Sequence, residues 1–246
     1  RYVRLPDVDV PLSAIRADAT VAEVEVVAQA LRAAWALPDG PVGHLIRHME
    51  AHGILVARLP IANGGIDAFS HHQGSRPVVI LGSDKGDAAR SRFDAAHELG
   101  HLVCHPEADP GGTQEQQAHA FAAELLMPRA VMVDLLPRRF DLGAYARLKS
   151  DWGVSIRALL YRARALEVIS DAAYRRGVMT LNSRYGGKGE PYPLSLVESP
   201  RLLAAAATVA DEGGVGRTRI AAEAEIGLDD LDIILGSGDT RPLVTV

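Results

Sequence analysis

His97, Glu98 and His101 form a His-Glu-x-x-His motif inside the apolar stretch Phe93–Val103, and that motif requires the stretch to be a helix. A helix advances about 100° per residue, so i and i+4 share a face, roughly 6 Å apart along the axis. On that face two imidazoles can converge on one metal ion, and the glutamate between them can reach a water beside it. This is the minimal equipment for metal-dependent peptide hydrolysis. The four-residue pattern also occurs by chance on helices whose polar residues simply face solvent. Here Phe93, Ala96, Gly100 and Val103 supply an apolar stripe, which places the helix in a core. Gly100 costs about 1 kcal/mol of helix propensity relative to alanine, which makes sense if another backbone packs closely there.

A catalytic zinc site needs a third protein ligand and one open position. The candidates are His105, Glu115, His119 and Glu124. Pro106 disfavours helical backbone at His105, so the motif helix, read as Asp87–Cys104, should end there. The other three lie on a second helix, read as Thr113–Met127, with Ala118, Phe121, Ala122, Leu125 and Leu126 as its apolar stripe. From the centre of that stripe Glu115 lies about 50° away, His119 about 90° and Glu124 about 130°, on the solvent side. Thr113 and Gln116 read as a capping box that places Glu115 in the first turn. A carboxylate at a core edge needs a partner or a metal, so Glu115 is the favoured third ligand. His119, one turn later, reads either as a hydrogen-bonding support for a ligand side chain or as a half-exposed surface histidine.

The rest of the chain bounds the possibilities. Its 246 residues suffice for one sizeable core and a smaller second one. No apolar run reaches the ~20 residues of a membrane span. A single cysteine, Cys104, excludes an intramolecular disulfide and suits a reducing cytoplasm. The net charge of −5 divides unevenly: residues 138–188 carry eleven Lys/Arg against four acids, +7, which leaves −12 elsewhere. Such a segment meets nucleic acid or an acidic protein, or forms a solvated helical surface, the reading preferred here.

Along the chain, residues 1–17 read as an extended linker, 18–137 as the core unit and 138–246 as a mostly helical C-terminal region. Within the core unit, helices are expected over 18–37 and from Asp39-Gly40-Pro41 to His52. Strands are expected at Ile54–Leu59, Ile66–Ser70 and Pro77–Leu81, with His71–Arg76 as the connection between the last two. The strand at Val78–Leu81 is either a sheet edge able to pair with an extended substrate or an interior strand.

The stretches Arg92–Val103 and Glu115–Pro128 together resemble the ImmA/IrrE family of metallopeptidases. Asp67–Ser70 with the preceding Ile66, Arg76–Leu81 and Trp152–Ala163 share the likeness, which spans roughly residues 20–195. The resemblance implies an α+β fold, mainly helical and zincin-like of the gluzincin type, with a small sheet of three or more strands. It implies His97, His101 and Glu115 as ligands of zinc, with manganese an alternative, and a cytoplasmic bacterial or phage protein. Family members cleave a cognate transcriptional repressor to release stress-response or mobile-element genes. Many carry an XRE-type helix-turn-helix domain ahead of the peptidase; a chain that starts at Arg1 fits the loss of such a domain, which would provide any DNA contact. One departure stands out: His119 occupies the position where the family usually has Asn or Asp.

The expected chemistry assigns proton transfer to Glu98. Tyr145, Tyr161, Tyr185 and His72 are candidates for stabilising the oxyanion. Two rivals stand beside this reading. One is a metal-binding transcriptional regulator or sensor with a vestigial peptidase site, suggested by the basic segment and by helix-turn-helix-like stretches at Val154–Ile169 and Thr218–Leu235. The other is a metal hydrolase of non-peptide substrates, which the motif spacing disfavours. Oligomeric state is not legible.

Overall fold

The computed structural model describes residues 3–61, 67–83, 87–106, 111–187, 189–194 and 197–236. Helix α1 (Val21–Ala34) opens on a capping box: Glu23 N–H donates to Thr20 Oγ1 at 3.3 Å, and Thr20 N–H to Glu23 Oε2 at 2.7 Å. It buries Val24, Ala28 and Leu31 and leaves Val21 exposed. Helix α2 (Leu45–Ala51) is shorter than the sequence predicts. Residues 41–43 stay outside it because the carbonyls of Val42 and Gly43 accept hydrogen bonds from the Arg92 guanidinium.

Three strands follow: β1 (Leu55–Leu59), β2 (Ala68–Gln73) and β3 (Arg76–Gly82). The sheet order is β1-β3-β2, with β1 parallel to β3 and β2 antiparallel to it. Pairing therefore occupies both sides of β3, so Val78–Leu81 is interior and β2 is the edge beside the motif helix. The segment His71–Arg76 is not a loop. Strand β2 runs on through His71, His72 and Gln73, and only Gly74-Ser75 turns the chain, with Gly74 at φ +61°. Ile66, expected to begin this strand, lies outside the described residues.

Helix α3 (Ala88–Cys104) carries the motif and starts on Asp87, whose Oδ1 accepts from Ala89 and Arg90 N–H. Helix α4 (Gly112–Leu126) starts earlier than predicted. Its N-cap is Gly111, whose N–H donates to Gln114 Oε1 at 3.2 Å, so the Thr113/Gln116 box does not form. Beyond it come α5 (Arg129–Leu135), α6 (Leu142–Trp152), α7 (Ile156–Ala165), α8 (Asp171–Tyr185), α9 (Leu202–Glu212), α10 (Arg217–Glu223) and α11 (Leu228–Ile234).

One hydrophobic core runs from Val24 on α1 to Leu181 on α8, so no structural break falls at residue 137. The N-terminal stretch is likewise no free linker. Asp9 N–H donates to His52 O, Ser13 N–H to Val103 O and Ile15 N–H to Cys104 O, which straps it across the end of α3. At the opposite end, Glu50 accepts from Arg201 and Leu202 N–H and so anchors α9. Helices α9 and α11 pack against β1, the sheet edge away from β2. The α10–α11 pair carries Glu223, Glu225, Asp229, Asp230 and Asp232 against Arg217 and Arg219, an acidic surface that DNA would repel.

Glu124 departs furthest from its expected place. It is completely buried, between Arg162, Gln29 and the Arg129 N–H, while Arg162 also holds Glu25 at 2.6 Å. This charge cluster ties α1, α4 and α7 together. Removing one partner from such a cluster leaves an uncompensated buried charge. Glu124→Ala is expected to cost about 3–5 kcal/mol, read as a lowered denaturant midpoint at unchanged slope.

Gly100 faces α4 as its helix cost suggests: a Cβ there would sit 3.2 Å from the backbone of Ala118 and 3.0 Å from Phe121 Cδ1. Gly100→Val should destabilise by about 1–3 kcal/mol, despite the gain in helix propensity, measurable as a drop in melting temperature.

Candidate metal centre

Helix α3 presents His97 and His101 one turn apart, and α4 brings Glu115 across from them. His97 Nε2 and His101 Nε2 are 3.0 Å apart. Glu115 Oε2 lies 3.1 Å from His97 Nε2, and its Oε1 lies 3.3 Å from His101 Nε2. A tetrahedral ion with bonds of 2.0–2.1 Å sets its ligand atoms about 3.3–3.4 Å apart. The three side chains therefore converge at nearly the spacing one such ion requires, and together they could hold it. Burial disfavours the charged form of both rings. His97 is lowered by desolvation, opposed by Glu115, and His101 is lowered to about 4 by desolvation and by His97 beside it. A neutral imidazole is the form that donates a lone pair to a metal.

Glu115 is more exposed than the phase of α4 suggests. Its side chain is 53% accessible and stands on a cleft of about 1780 Å³. Asp67 and Ala68 at the start of the edge strand, Phe93, His97 and Glu98 on α3, and Ala158 and Tyr161 on α7 also line that cleft. Glu98, only 7% exposed, lies on its floor. Ser70 Oγ donates to Glu98 Oε2 at 2.7 Å. Burial raises the Glu98 carboxyl to about 7, against the opposing effect of the Ser70 bond and with help from Glu115 and Asp94.

These residues fall within a recognisable unit. Residues 49–164 match the model of the IrrE N-terminal-like domain, Peptidase_M78. This stretch is an ImmA/IrrE-family metallopeptidase domain. Among curated proteins no sequence matches the chain. The domain's mainly helical α+β architecture with its three-stranded sheet is that of a zincin-like fold. The match runs past residue 137 and takes in α6 and nearly all of α7. Among the described residues no helix is long and apolar enough to cross a membrane.

The remaining candidates separate cleanly. His119 makes ring contacts with Phe93 at 4.8 Å and Tyr161 at 5.4 Å, and among the described residues no hydrogen bond joins it to His97, His101 or Glu115. It forms part of the cleft wall. Tyr145 is fully buried against Phe140, whereas Tyr161 faces the cleft; Tyr185 and His72 lie outside its lining.

Two residues beside the site, Ser70 and Gln117, escape the sequence reading, and His105, weighed there only as a ligand and disfavoured, lies against one instead. His105 does leave the helix, at φ −130°, yet its Nδ1 lies 3.2 Å from His101 Nδ1 and its Nε2 lies 2.9 Å from Gln117 Oε1. The i+4 step from His101 to His105 was the available signal. Ser70 had none, because only the register of β2 against β3 brings it over α3.

A raised carboxyl pKa means that the fold binds a proton at Glu98 more tightly than the unfolded chain does. Its stabilising contribution is complete below the ordinary value of 4.5 and is lost as pH rises through about 7. In metal-free protein, Glu98→Gln should therefore be more stable than wild type at pH 8, with the advantage vanishing toward pH 4.5. Thermal melts across that range check it.

Proposed function

We propose that the domain is a zinc-dependent endopeptidase that cleaves a bacterial transcriptional repressor of the XRE type, acting in the cytoplasm to relieve repression. The observation that carries the peptidase chemistry is the convergence of His97 Nε2, His101 Nε2 and the Glu115 carboxylate beside a buried Glu98. Two imidazoles and one carboxylate at tetrahedral spacing suit zinc better than manganese, which favours octahedral oxygen ligation. A bound zinc ion supplies Lewis-acid polarisation of the scissile carbonyl and makes water acidic enough to attack at neutral pH.

The protein's own groups do the rest. Glu98 takes the proton of the attacking water and delivers it to the leaving amine. A carboxyl held near 7 by burial is suited to both halves of that transfer, and Ser70 fixes which oxygen faces the water. Strand β2, at the sheet edge beside α3, offers backbone groups to an extended peptide, so the edge able to pair with substrate is β2 rather than β3. Of the tyrosines expected for the oxyanion, Tyr161 is the one that lines the cleft, and it is our candidate for that role. The repressor reading draws its support from the family of residues 49–164. The regulator alternative loses ground because the α10–α11 pair is acidic, and Lys149, Arg157, Arg162 and Arg164 of the basic segment are engaged with Glu190, Asn182, Glu25, Glu124 and Asp171.

The test is incubation of zinc-loaded protein with the XRE-type repressor encoded beside its gene. Cleavage should stop with chelator and fall by about 10²–10⁴-fold in Glu98→Gln. Undiminished cleavage by Glu98→Gln would overturn the mechanism. Hydrolysis of unrelated peptides with the repressor left intact would overturn the substrate.

A further inference from the structure

Gln117 is buried, and its amide nitrogen points at three backbone carbonyls of the N-terminal strap: Arg16 O at 3.0 Å, Ala17 O at 3.3 Å and Ala19 O at 3.3 Å. Carbonyls only accept, so this end of the amide must be the NH₂ group and the other end must be the oxygen. That oxygen faces His105 Nε2 at 2.9 Å. It can only accept, so His105 must carry its proton on Nε2. With one proton on the ring, His105 Nδ1 is then an acceptor, and it faces His101 Nδ1 at 3.2 Å. The pairing is satisfied only if His101 carries its proton on Nδ1. Its Nε2 is then a bare lone pair, aimed at His97 Nε2 and Glu115.

We propose that Gln117 and His105 are positioning residues: a directed chain of hydrogen bonds, anchored on the carbonyls of residues 16–19, presets His101 as the Nδ1–H tautomer before a metal arrives. The inference rests on reading His97, His101 and Glu115 as a metal site, and not on which peptide is cut. The support usually given to a ligand imidazole is a carboxylate or a carbonyl. Here a second imidazole takes that place and passes the backbone's polarity inward. The chain has a fixed direction because it starts from groups that cannot reverse. It also couples the strap to the metal site, since Ser13 and Ile15 hold the strap to the last carbonyls of α3.

The experiment reads tautomers directly, by long-range ¹⁵N–¹H correlation on metal-free full-length protein labelled at histidine. His101 should show the Nδ1–H pattern and His105 the Nε2–H pattern. An Nε2–H pattern at His101 overturns the proposal. The second measurement is zinc affinity by competition with a chromophoric chelator. Loss of the chain should weaken binding by about 10–100-fold. His105→Leu and Gln117→Met should both show that loss. His105→Asn places an amide oxygen where Nδ1 stood and should recover most of it. Equal affinities for His105→Leu, His105→Asn and wild type would reduce His105 to packing and overturn the proposal. Wild-type protein that binds no zinc would instead sink the metal-site reading, while the tautomer spectrum still decides the chain of hydrogen bonds.

Discussion

The close approach of α3 to α4 at Gly100 is the contact on which the site depends. Two of the residues that could hold a metal come from one helix and the third from the other, so the distance between helix axes becomes the distance between them. Without a Cβ at residue 100, the Ala118 backbone comes close enough for the Glu115 carboxylate to lie 3.1–3.3 Å from both imidazoles. A larger residue would force the helices apart, and carboxylate oxygens are poor at spanning an added ångström while keeping tetrahedral geometry. The helix propensity lost at Gly100 is thus spent on alignment.

Burial does two opposite jobs around this contact. On the cleft floor it encloses Glu98, which accepts from Ser70, and raises its carboxyl into the range useful for proton transfer. Beside it, burial encloses Glu25 and Glu124 around Arg162, and Arg129 supplies the second positive charge to Glu25. The first arrangement leaves a carboxylate reactive. The second makes carboxylates structural, with Glu124 accepting from the Arg129 N–H that follows α4 and thereby fixing where that helix stops.

The amino-acid pattern picked out the residues that converge, His97, His101 and Glu115, but misjudged their surroundings, for identifiable reasons. His97, Glu98 and His101 follow from spacing on one helix, and Glu115 from the phase of the next. The same phase sent Glu124 to solvent, because it assumed a single buried stripe. Helix α4 packs on α1 as well as on α3, so its second half is buried nearly all round. A polar residue opposite the main stripe then needs a partner from elsewhere in the chain, and Arg162 is 38 residues away. Pro106 correctly ended α3, yet leaving a helix is not leaving a site: the capping conformation of His105 keeps its ring against His101. The sheet was legible as three strands. Its order was not, since a parallel β1–β3 pairing depends on contacts that short periodic patterns do not encode.

The strap of residues 9–19 gives the site an unusual chronology. Its metal-facing side chains all lie between residues 97 and 115, on two consecutive helices that meet early as the chain collapses. The carbonyls that orient Gln117 come from residues about a hundred positions upstream. Closing so long a loop is slow relative to docking neighbouring helices. The ligands would therefore gather first, with imidazoles free to hold their protons on either nitrogen, and the proton order would be imposed only when the strap seats. An isolated α3–α4 hairpin would contain every ligand and still lack the element that tells His101 which way to face.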